Sequence, residues 1–458
     1  MSTTLILINP WIYDFAAYDL WSKPLGLLSL AGMLRERGFS VHLIDCLDVH
    51  HPDMMTSSTL PRPVRRSYGT GKFWREKIPK PPPLEHIPRA YSRYGVSKDV
   101  FLKELQKVSA PSAILVTSLM TYWYPGVAEA IRLTRQIHPG APVILGGIYA
   151  RLCEEHALQK SGADVVFTGT TAPGDTSLTD LLDRLELSPE GGQSNKSPHP
   201  YPAFDLLNEP DYVCLSTSFG CPFRCRYCAS PFLNPWFTQR APETILNEIH
   251  FWHKAHGIRD FAFYDDALLV NAEARMGPVM ETLAGLKLGL RFHTPNALHV
   301  REISSDIAEL LYLSGFRTIR LGLETSDMDI HNRLDKKISA GEFEWAVRNL
   351  LGAGFKKKDI GAYILMGLPG QSVESVSKSL SFADLAGATP YLAEYSPIPH
   401  TSLWEKALKH SEYDLASEPL FHNNTLLPCW EPEKREGVPE LKRMVRDIRQ
   451  GGTKHLSS

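Results

Sequence analysis

Apolar residues in the first half of the chain fall into short runs separated by helical stretches. Thr4–Ile8 is a continuous apolar run closed by Asn9-Pro10, the pattern of a parallel strand buried on both faces. Over Pro24–Arg37, Leu27, Leu28, Leu30, Ala31 and Leu34 share one helical stripe, and Gly38 supplies the stop. Ser40–Asp45 reads as the next strand. Strand, helix and strand in this order form a βαβ unit and predict a parallel sheet. Ser112–Thr117, Pro125–His138, Val143–Leu145, Arg151–Ser161 and Asp164–Phe167 continue as strand, helix, strand, helix and strand. The first half is therefore expected to be an α/β, Rossmann-like doubly wound sheet. Ligands of such sheets sit beyond the carboxyl ends of the strands. That rule nominates Ser22–Gly26, Ser118–Thr121, Gly146–Tyr149 and Gly169, although turn chemistry alone accounts for any single glycine.

The alternation breaks between His50 and Lys98. This stretch holds eight prolines, and from Pro61 to Lys98 it has ten basic and two acidic residues. Phe73, Trp74, Tyr91 and Tyr94 are interleaved. It reads as an insertion, either a solvated wrap over the surface or a lid or anion-binding arm. Ser188–Pro202 has linker composition.

Alternation resumes six times from Tyr212. Strands are expected at Val213–Thr217, Asp260–Tyr264, Leu290–His293, Thr318–Leu323, Ile360–Met366 and Tyr391–Ser396, with helices at Ala241–His256, Ala272–Lys287, Ser305–Ser314, Gly341–Ala353 and Ser372–Gly387. Such units fit a partial (β/α)6 barrel with its chemistry at the carboxyl ends of the strands. The tail, Pro432–Ser458, reads as a polar helix with a frayed end. The expected organisation is a Rossmann-like domain over 1–187, a linker over 188–203, a barrel over 204–400 and a short, mostly helical extension over 401–458.

Composition narrows the class. Of 458 residues, 43% are hydrophobic and 22% charged, which excludes disorder, collagen and a coiled coil as the main organisation. A net charge of −2 argues against a chain coated in nucleic acid. No apolar run approaches the length of a membrane span. Met1–Pro10 has no basic n-region and no small-residue cleavage site, so no signal peptide is expected. Seven cysteines are too few for a disulfide scaffold. A reducing, cytoplasmic setting is expected.

Three of those cysteines crowd into Gly220-Cys-Pro-Phe-Arg-Cys-Arg-Tyr-Cys-Ala-Ser230, directly after the first barrel strand. Cys221, Cys225 and Cys228 are spaced C-x3-C-x2-C. Iron–sulfur clusters are held by cysteine thiolates, and three thiolates on a cubane leave one iron open for chemistry. The competing reading is zinc, completed by Cys214 or a histidine. Cys214 lies inside a strand, however, and His250, His253 and His256 recur every third residue and drift around their helix.

This loop resembles the signature of the radical S-adenosylmethionine (SAM) enzymes, with Tyr227 as the aromatic residue before the third cysteine. The resemblance covers Phe204 to about Ala407. It implies a [4Fe–4S] cluster whose open iron chelates SAM. One electron then cleaves SAM to methionine and a 5′-deoxyadenosyl radical. It places the SAM amino end at Tyr264-Asp265-Asp266. It places the ribose at Gly322-Leu-Glu324-Thr-Ser326, and the adenine near Gly367-Leu-Pro369-Gly370. Ser396-Pro-Ile-Pro-His-Thr401 is similar to a Pro-x-Pro-Gly-Thr motif with His400 in the glycine place.

A doubly wound domain before such a barrel resembles the cobalamin-binding subgroup. Pro24, Gly26, Ser118, Met120, Gly146, Gly147 and Gly169 are the corresponding cofactor positions. Pro10–Leu20 contains no histidine, so the Asp-x-His-x-x-Gly cobalt-ligand loop is absent there. The implied chemistry is methyl transfer to an unactivated centre of a small molecule or natural product. An external electron donor of flavodoxin or ferredoxin type is implied, and oxygen sensitivity is expected of an open cluster. Three alternatives stay open. One is tRNA methylthiolation, one is rearrangement or cyclisation with a first domain that has lost its cofactor, and one is a non-catalytic corrinoid or redox sensor. His293, Thr294, Asn296 and Arg320 are candidate cavity residues. Tyr395 and Cys429 are candidate radical or second-cluster partners.

Overall fold

The computed structural model describes residues 3–57, 59–170, 175–187 and 201–450. Most of the expected linker, 188–200, and the end of the tail, 451–458, lie outside them. The chain divides into two compact units, Met1–Asp211 and Tyr212–Ser458.

The first unit is built on five parallel strands: β1 (Thr4–Asn9), β2 (Ser40–Asp45), β3 (Ala113–Val116), β4 (Val143–Leu145) and β5 (Val165–Val166), in the order β5-β4-β3-β1-β2. Alternate side chains feed opposite layers, as a pleated strand requires. Ile6 and Ile8 pack with Phe101, Val127 and Ile131. Leu5 and Leu7 pack with Leu27, Leu34 and Leu181. Helices therefore cover both faces, and the sheet is doubly wound. The helix expected over Arg151–Ser161 is instead two, Ile148–Leu152 and Glu154–Lys160, broken at Cys153.

The insertion is a folded element with buried aromatic residues, not a solvated wrap. Arg75–Ile78 and Tyr91–Tyr94 form an antiparallel sheet with Ile12–Asp14. Phe73, Trp74, Tyr91 and Tyr94 are buried. Three of its ten cations are matched by acids: Arg65 by Asp19, Arg93 by Glu76 and Lys98 by Glu129. Because Ile12–Asp14 begins just after β1, this small sheet stands at the carboxyl edge of the large one.

The second unit holds β6 (Val213–Leu215), β7 (Asp260–Phe263), β8 (Arg291–His293), β9 (Phe316–Glu324), β10 (Ile360–Met366) and β11 (Thr389–Glu394). They are parallel and lie in sequential order, so each βα unit adds one neighbour. The sheet is an open, partial (β/α)6 barrel. One face carries Phe261, Phe263, Phe292 and Ile319, all buried. The other carries Asp260, His293, Thr318 and Arg320, joined by hydrogen bonds from His293 to Asp260 and Thr318. The apolar face meets the helices and the polar face lines the lumen. The tail forms two helices, Pro432–Arg435 and Val438–Arg449. Among the described residues no helix is long and apolar enough to cross a membrane.

Candidate functional site

The cysteine loop is placed by β6 and fixed on several sides. Gly220 has φ 74, and a Cβ there would meet the Trp236 carbonyl oxygen at 2.3 Å, so only glycine turns the chain into the loop. Arg226 N–H donates to the Leu334 carbonyl at 2.9 Å, and the Arg226 carbonyl accepts from Leu403 N–H at 2.9 Å. Phe223 packs on His299 with ring centroids 4.1 Å apart. Phe232, just past the loop, stacks on His400 at 4.1 Å with the rings 2° from parallel. His400 has φ 65, so the residue that replaces the motif's glycine keeps the left-handed turn and adds a stacking contact.

Cys221, Cys225 and Cys228 are free thiols, and Cys225 is the most enclosed. Burial pushes the Cys225 thiol up to about 12 in the absence of metal. The Cys228 sulfur accepts from Ser230 N–H at 3.4 Å. Among the described residues, no three His, Cys, Asp or Glu side chains close around one metal ion. A tetrahedral zinc site needs that convergence, whereas a cubane spreads its thiolates over separate irons. The donor set therefore fits a cluster better than a single ion.

The neighbouring carboxylates separate into different roles. Asp265 is buried, and its carboxylate accepts from Thr217 N–H at 2.9 and 3.1 Å, Thr217 Oγ1 at 2.8 Å and Ser218 Oγ at 2.6 Å. Three of these bonds fall on Oδ1, and together the four hold the approach to the cysteine loop. Asp266 is exposed, accepts from Ser230 Oγ at 2.6 Å, and remains available. Glu324 is buried with φ 61, where β9 bulges against β10. Strain of this kind concentrates at functional sites. Burial raises the Glu324 pKa, and the Lys337 ammonium 3.8 Å away offsets part of that rise.

Ser326 bonds Ser379 instead of facing the lumen, with N–H to Oγ at 2.9 Å. It borders a cleft of about 140 Å³ with Thr325, Met328, His331 and Phe343. Gly367 has φ 101, and its N–H donates to Gln371 Oε1 at 3.0 Å, while Pro369 is buried beside it. Thr294 is buried, bonding the Thr318 carbonyl, and Asn296 donates to the Tyr264 carbonyl at 2.8 Å. Tyr395 and Cys429 are both buried in one apolar cluster with Leu368 and Leu403.

Three residues that the sequence did not single out complete the site: His331, Asp335 and Lys337. Lys337 Nζ donates to the Tyr227 hydroxyl, which donates to Asp335, which pairs with His331 Nδ1 at 3.0 Å. In sequence, Asp335-Lys-Lys337 reads as a surface run after a helix, and only the fold brings it under the loop.

In the first unit the candidates line the carboxyl edge of the sheet. Ser118 and Gly147 are tied together. A Cβ on Gly147, at φ 93, would meet the Ser118 carbonyl oxygen at 2.3 Å. Ser118 Oγ donates to the Gly146 carbonyl at 2.6 Å. A Cβ on Gly169 would strike Ser177 Oγ at 2.2 Å, so it too serves packing. Gly26 has open space, Pro24 precedes the helix Leu25–Glu36, and Met120 is 46% exposed. Tyr18 and Leu20 are exposed at the same edge. Exposed apolar groups at this edge suit the broad face of a corrin ring. The loop after β1 offers cobalt no histidine.

Two family models match parts of the chain. The radical SAM superfamily matches residues 215–383, and the B12 binding domain matches residues 91–175. The first match lies in the barrel and the second in the sheet domain before it. The barrel is a radical SAM domain, and a B12-binding domain precedes it in the chain. The chain is 23% identical over 354 residues to an uncharacterised methyltransferase of Pyrococcus horikoshii, covering 69% of this chain and 74% of that protein. Its fold resembles the radical SAM methyltransferase TsrM from Kitasatospora setae, solved with tryptophan substrate and the SAM analogue aza-SAM. The TM-score is 0.66 at 14% identity, over 97% of this chain and 89% of TsrM. It also resembles OxsB, a cobalamin-dependent SAM radical enzyme solved with aqua-cobalamin and SAM bound. That TM-score is 0.55 at 14% identity, over 97% of this chain and 56% of OxsB. At these identities the likeness is one of fold.

Proposed function

We propose that the protein is a cobalamin-dependent radical SAM methyltransferase acting on a small-molecule substrate. The observation that carries this reading is the cysteine loop: three thiols unbonded to one another, at the carboxyl end of the first barrel strand, with the loop backbone held on both sides. Cys221, Cys225 and Cys228 would hold the cluster. Asp266, exposed and bonded only by Ser230 Oγ, is the carboxylate for the SAM ammonium, and Glu324 is the acceptor for ribose hydroxyls. Ser326 joins Glu324 only through its backbone position, because its side chain is engaged by Ser379. The turn at Gly367 and Pro369 stands at the end of β10 for the adenine. Pro24, Gly26, Ser118, Met120, Gly146, Gly147 and Gly169 frame the edge of the first unit where a corrinoid would lie.

When bound, the reduced cluster supplies the electron that splits a carbon–sulfur bond of SAM, and the corrinoid supplies a carrier for a methyl group. The chain's own part is positioning and exclusion of water. Lys337 and Asp335 fix Tyr227 within the loop. Leu334, Leu368, Leu403 and Cys429 form an apolar backing that includes Tyr227. A one-electron donor of flavodoxin or ferredoxin type matches the need for single electrons. Two relatives named as methyltransferases support methyl transfer, and the third, named as cobalamin-dependent, supports the corrinoid.

The test is anaerobic reconstitution with iron, sulfide and hydroxocobalamin, followed by gel filtration. Corrinoid absorbance is expected to travel with the protein, and SAM is expected to be consumed on reduction. Free corrinoid with intact SAM cleavage would remove the cobalamin part of the reading. Neither corrinoid retention nor SAM consumption would remove all of it.

A further inference from the structure

Asp335-Lys336-Lys337 follows the helix Met328–Leu334. Lys336 is exposed, whereas the Lys337 side chain keeps only 13% of its surface. The Lys337 ammonium donates to the Tyr227 hydroxyl at 3.0 Å, lies 5.5 Å from the centre of the same ring and stands 3.8 Å from Glu324 Oε1. It also hydrogen-bonds the Cys225 thiol. Tyr227 sits between Cys225 and Cys228 in the chain, so this ammonium reaches the cysteine loop at two of its residues. The loop's own cations, Arg224 and Arg226, are exposed.

Stability alone gives no reason for a charge here, because apolar residues of similar volume commonly serve as well as a buried ion pair. The charge has an electrostatic consequence instead. A cluster that accepts an electron gains negative charge. Its potential follows the net charge around it and the hydrogen bonds to its sulfurs. A cation held away from water acts with little screening, whereas an exposed one is screened by solvent and salt. Lys337 meets the first condition, and Lys336 meets the second.

We propose that Lys337 is a redox-tuning residue, whose ammonium on Cys225 raises the potential at which the cluster accepts its electron. This deepens the radical SAM reading and rests on it for the presence of the cluster. The electron comes from the external one-electron donor and stays on the cluster. Lys337 exchanges neither proton nor electron, and only its fixed charge acts. Glu324 opposes it, since a carboxylate 3.8 Å from the ammonium cancels part of its field. Removing the one charge or the other therefore moves the potential in opposite directions.

The measurement is an anaerobic redox titration of the full-length protein loaded with iron and sulfide. It is read by the electron paramagnetic resonance of the reduced cluster, at fixed pH and ionic strength, without SAM or corrinoid. That signal reports loaded protein alone, so partial loading leaves the potential readable. Lys337→Gln is expected to weaken reduction by about tenfold, a downward shift of about 59 mV for one electron. Lys337→Arg should stay within about threefold of the native chain. So should Lys336→Gln, which removes the same charge from the exposed neighbouring position. Glu324→Gln should move the potential upwards, and it decides alone if Lys337→Gln takes up no cluster. An unchanged potential in Lys337→Gln, an equal fall in Lys337→Arg or Lys336→Gln, or no rise in Glu324→Gln would each overturn the proposal. An ammonium placed for the SAM carboxylate instead would leave this SAM-free potential unmoved and weaken S-adenosylhomocysteine binding in Lys337→Gln, which also overturns it. A native chain that forms no reducible cluster overturns the radical SAM reading and this inference together. A native cluster whose potential Lys337→Gln does not move overturns the inference alone.

Discussion

The ammonium of Lys337 donates a 3.0 Å hydrogen bond to the hydroxyl of Tyr227. That hydroxyl donates to Asp335 Oδ2 at 3.2 Å, and Glu324 Oε1 lies 3.8 Å from the same ammonium. Burial opposes the charge on Lys337, but Glu324, Cys225 and Asp335 hold it protonated, above the ordinary lysine value. One cation thus links the cysteine loop to the carboxylate at the end of β9.

Replacing Lys337 with Met leaves Glu324 as a buried carboxylate without its cation, while Asp335 keeps His331 and Tyr227. Removing one member of such a pair costs about 3 kcal/mol. Chemical denaturation of the metal-free protein should show that loss, and reconstituted Lys337→Met should hold less iron per chain. Unchanged stability and iron content would mean the network is incidental.

Asp265 and Asp266 are adjacent in sequence and opposite in consequence. Asp265→Ala strands the donors of Thr217 and Ser218 and should cost about 2–3 kcal/mol. Asp266→Asn should leave the unfolding midpoint within about 0.5 kcal/mol and raise the KM for SAM. A stability loss at Asp266 with no change in KM would reverse the two assignments.

The glycines of the first unit divide in the same way. Gly147→Ala forces a Cβ against the Ser118 backbone at a positive φ and should destabilise the unit by about 2 kcal/mol. Gly26→Ala meets nothing and lies in a helix, where alanine is favoured by up to about 1 kcal/mol. Gly26→Ala should therefore fold well while weakening corrinoid retention, which gel filtration with hydroxocobalamin reads directly.

These pairs show where sequence reading succeeds and where it stops. The run Leu5–Ile8 and the stripe Leu27–Leu34 announce their elements because burial on both faces leaves no polar position. The C-x3-C-x2-C spacing announces its chemistry because the thiols sit in one loop. The small sheet of Arg75–Ile78 and Tyr91–Tyr94 is hidden by prolines and by cations whose acidic partners lie far off in sequence, Asp19 and Glu129 among them. Lys337 is hidden for the same reason, since Tyr227 and Glu324 reach it only through the fold, whereas His331 and Asp335, four residues apart, read as an ordinary helix-end pair.

His331 gives the site a pH dependence. Its Nδ1 faces Asp335 at 3.0 Å and its Nε2 faces the Thr325 carbonyl at 2.8 Å. Both neighbours accept, so the doubly protonated ring is favoured. Burial lowers its pKa, but Asp335 more than compensates and leaves it raised. The stabilisation is complete below the ordinary histidine value near 6.5 and is lost as pH rises through the raised value. Asp335 is shifted down, against burial, chiefly by His331, so its share is lost only in acid, below the usual carboxylate range. Urea unfolding between pH 6 and 9 should show a fall in stability that is smaller in His331→Gln. Parallel profiles would contradict this.

The central claim is that the loop of Cys221, Cys225 and Cys228 carries a cluster that cleaves SAM. Its most direct test is the yield of 5′-deoxyadenosine from SAM under anaerobic reduction, in the reconstituted protein and in Cys225→Ala. The account predicts 5′-deoxyadenosine from the native chain and none from the variant. Equal yields from both, or none from a native chain loaded with iron and sulfide, would contradict it.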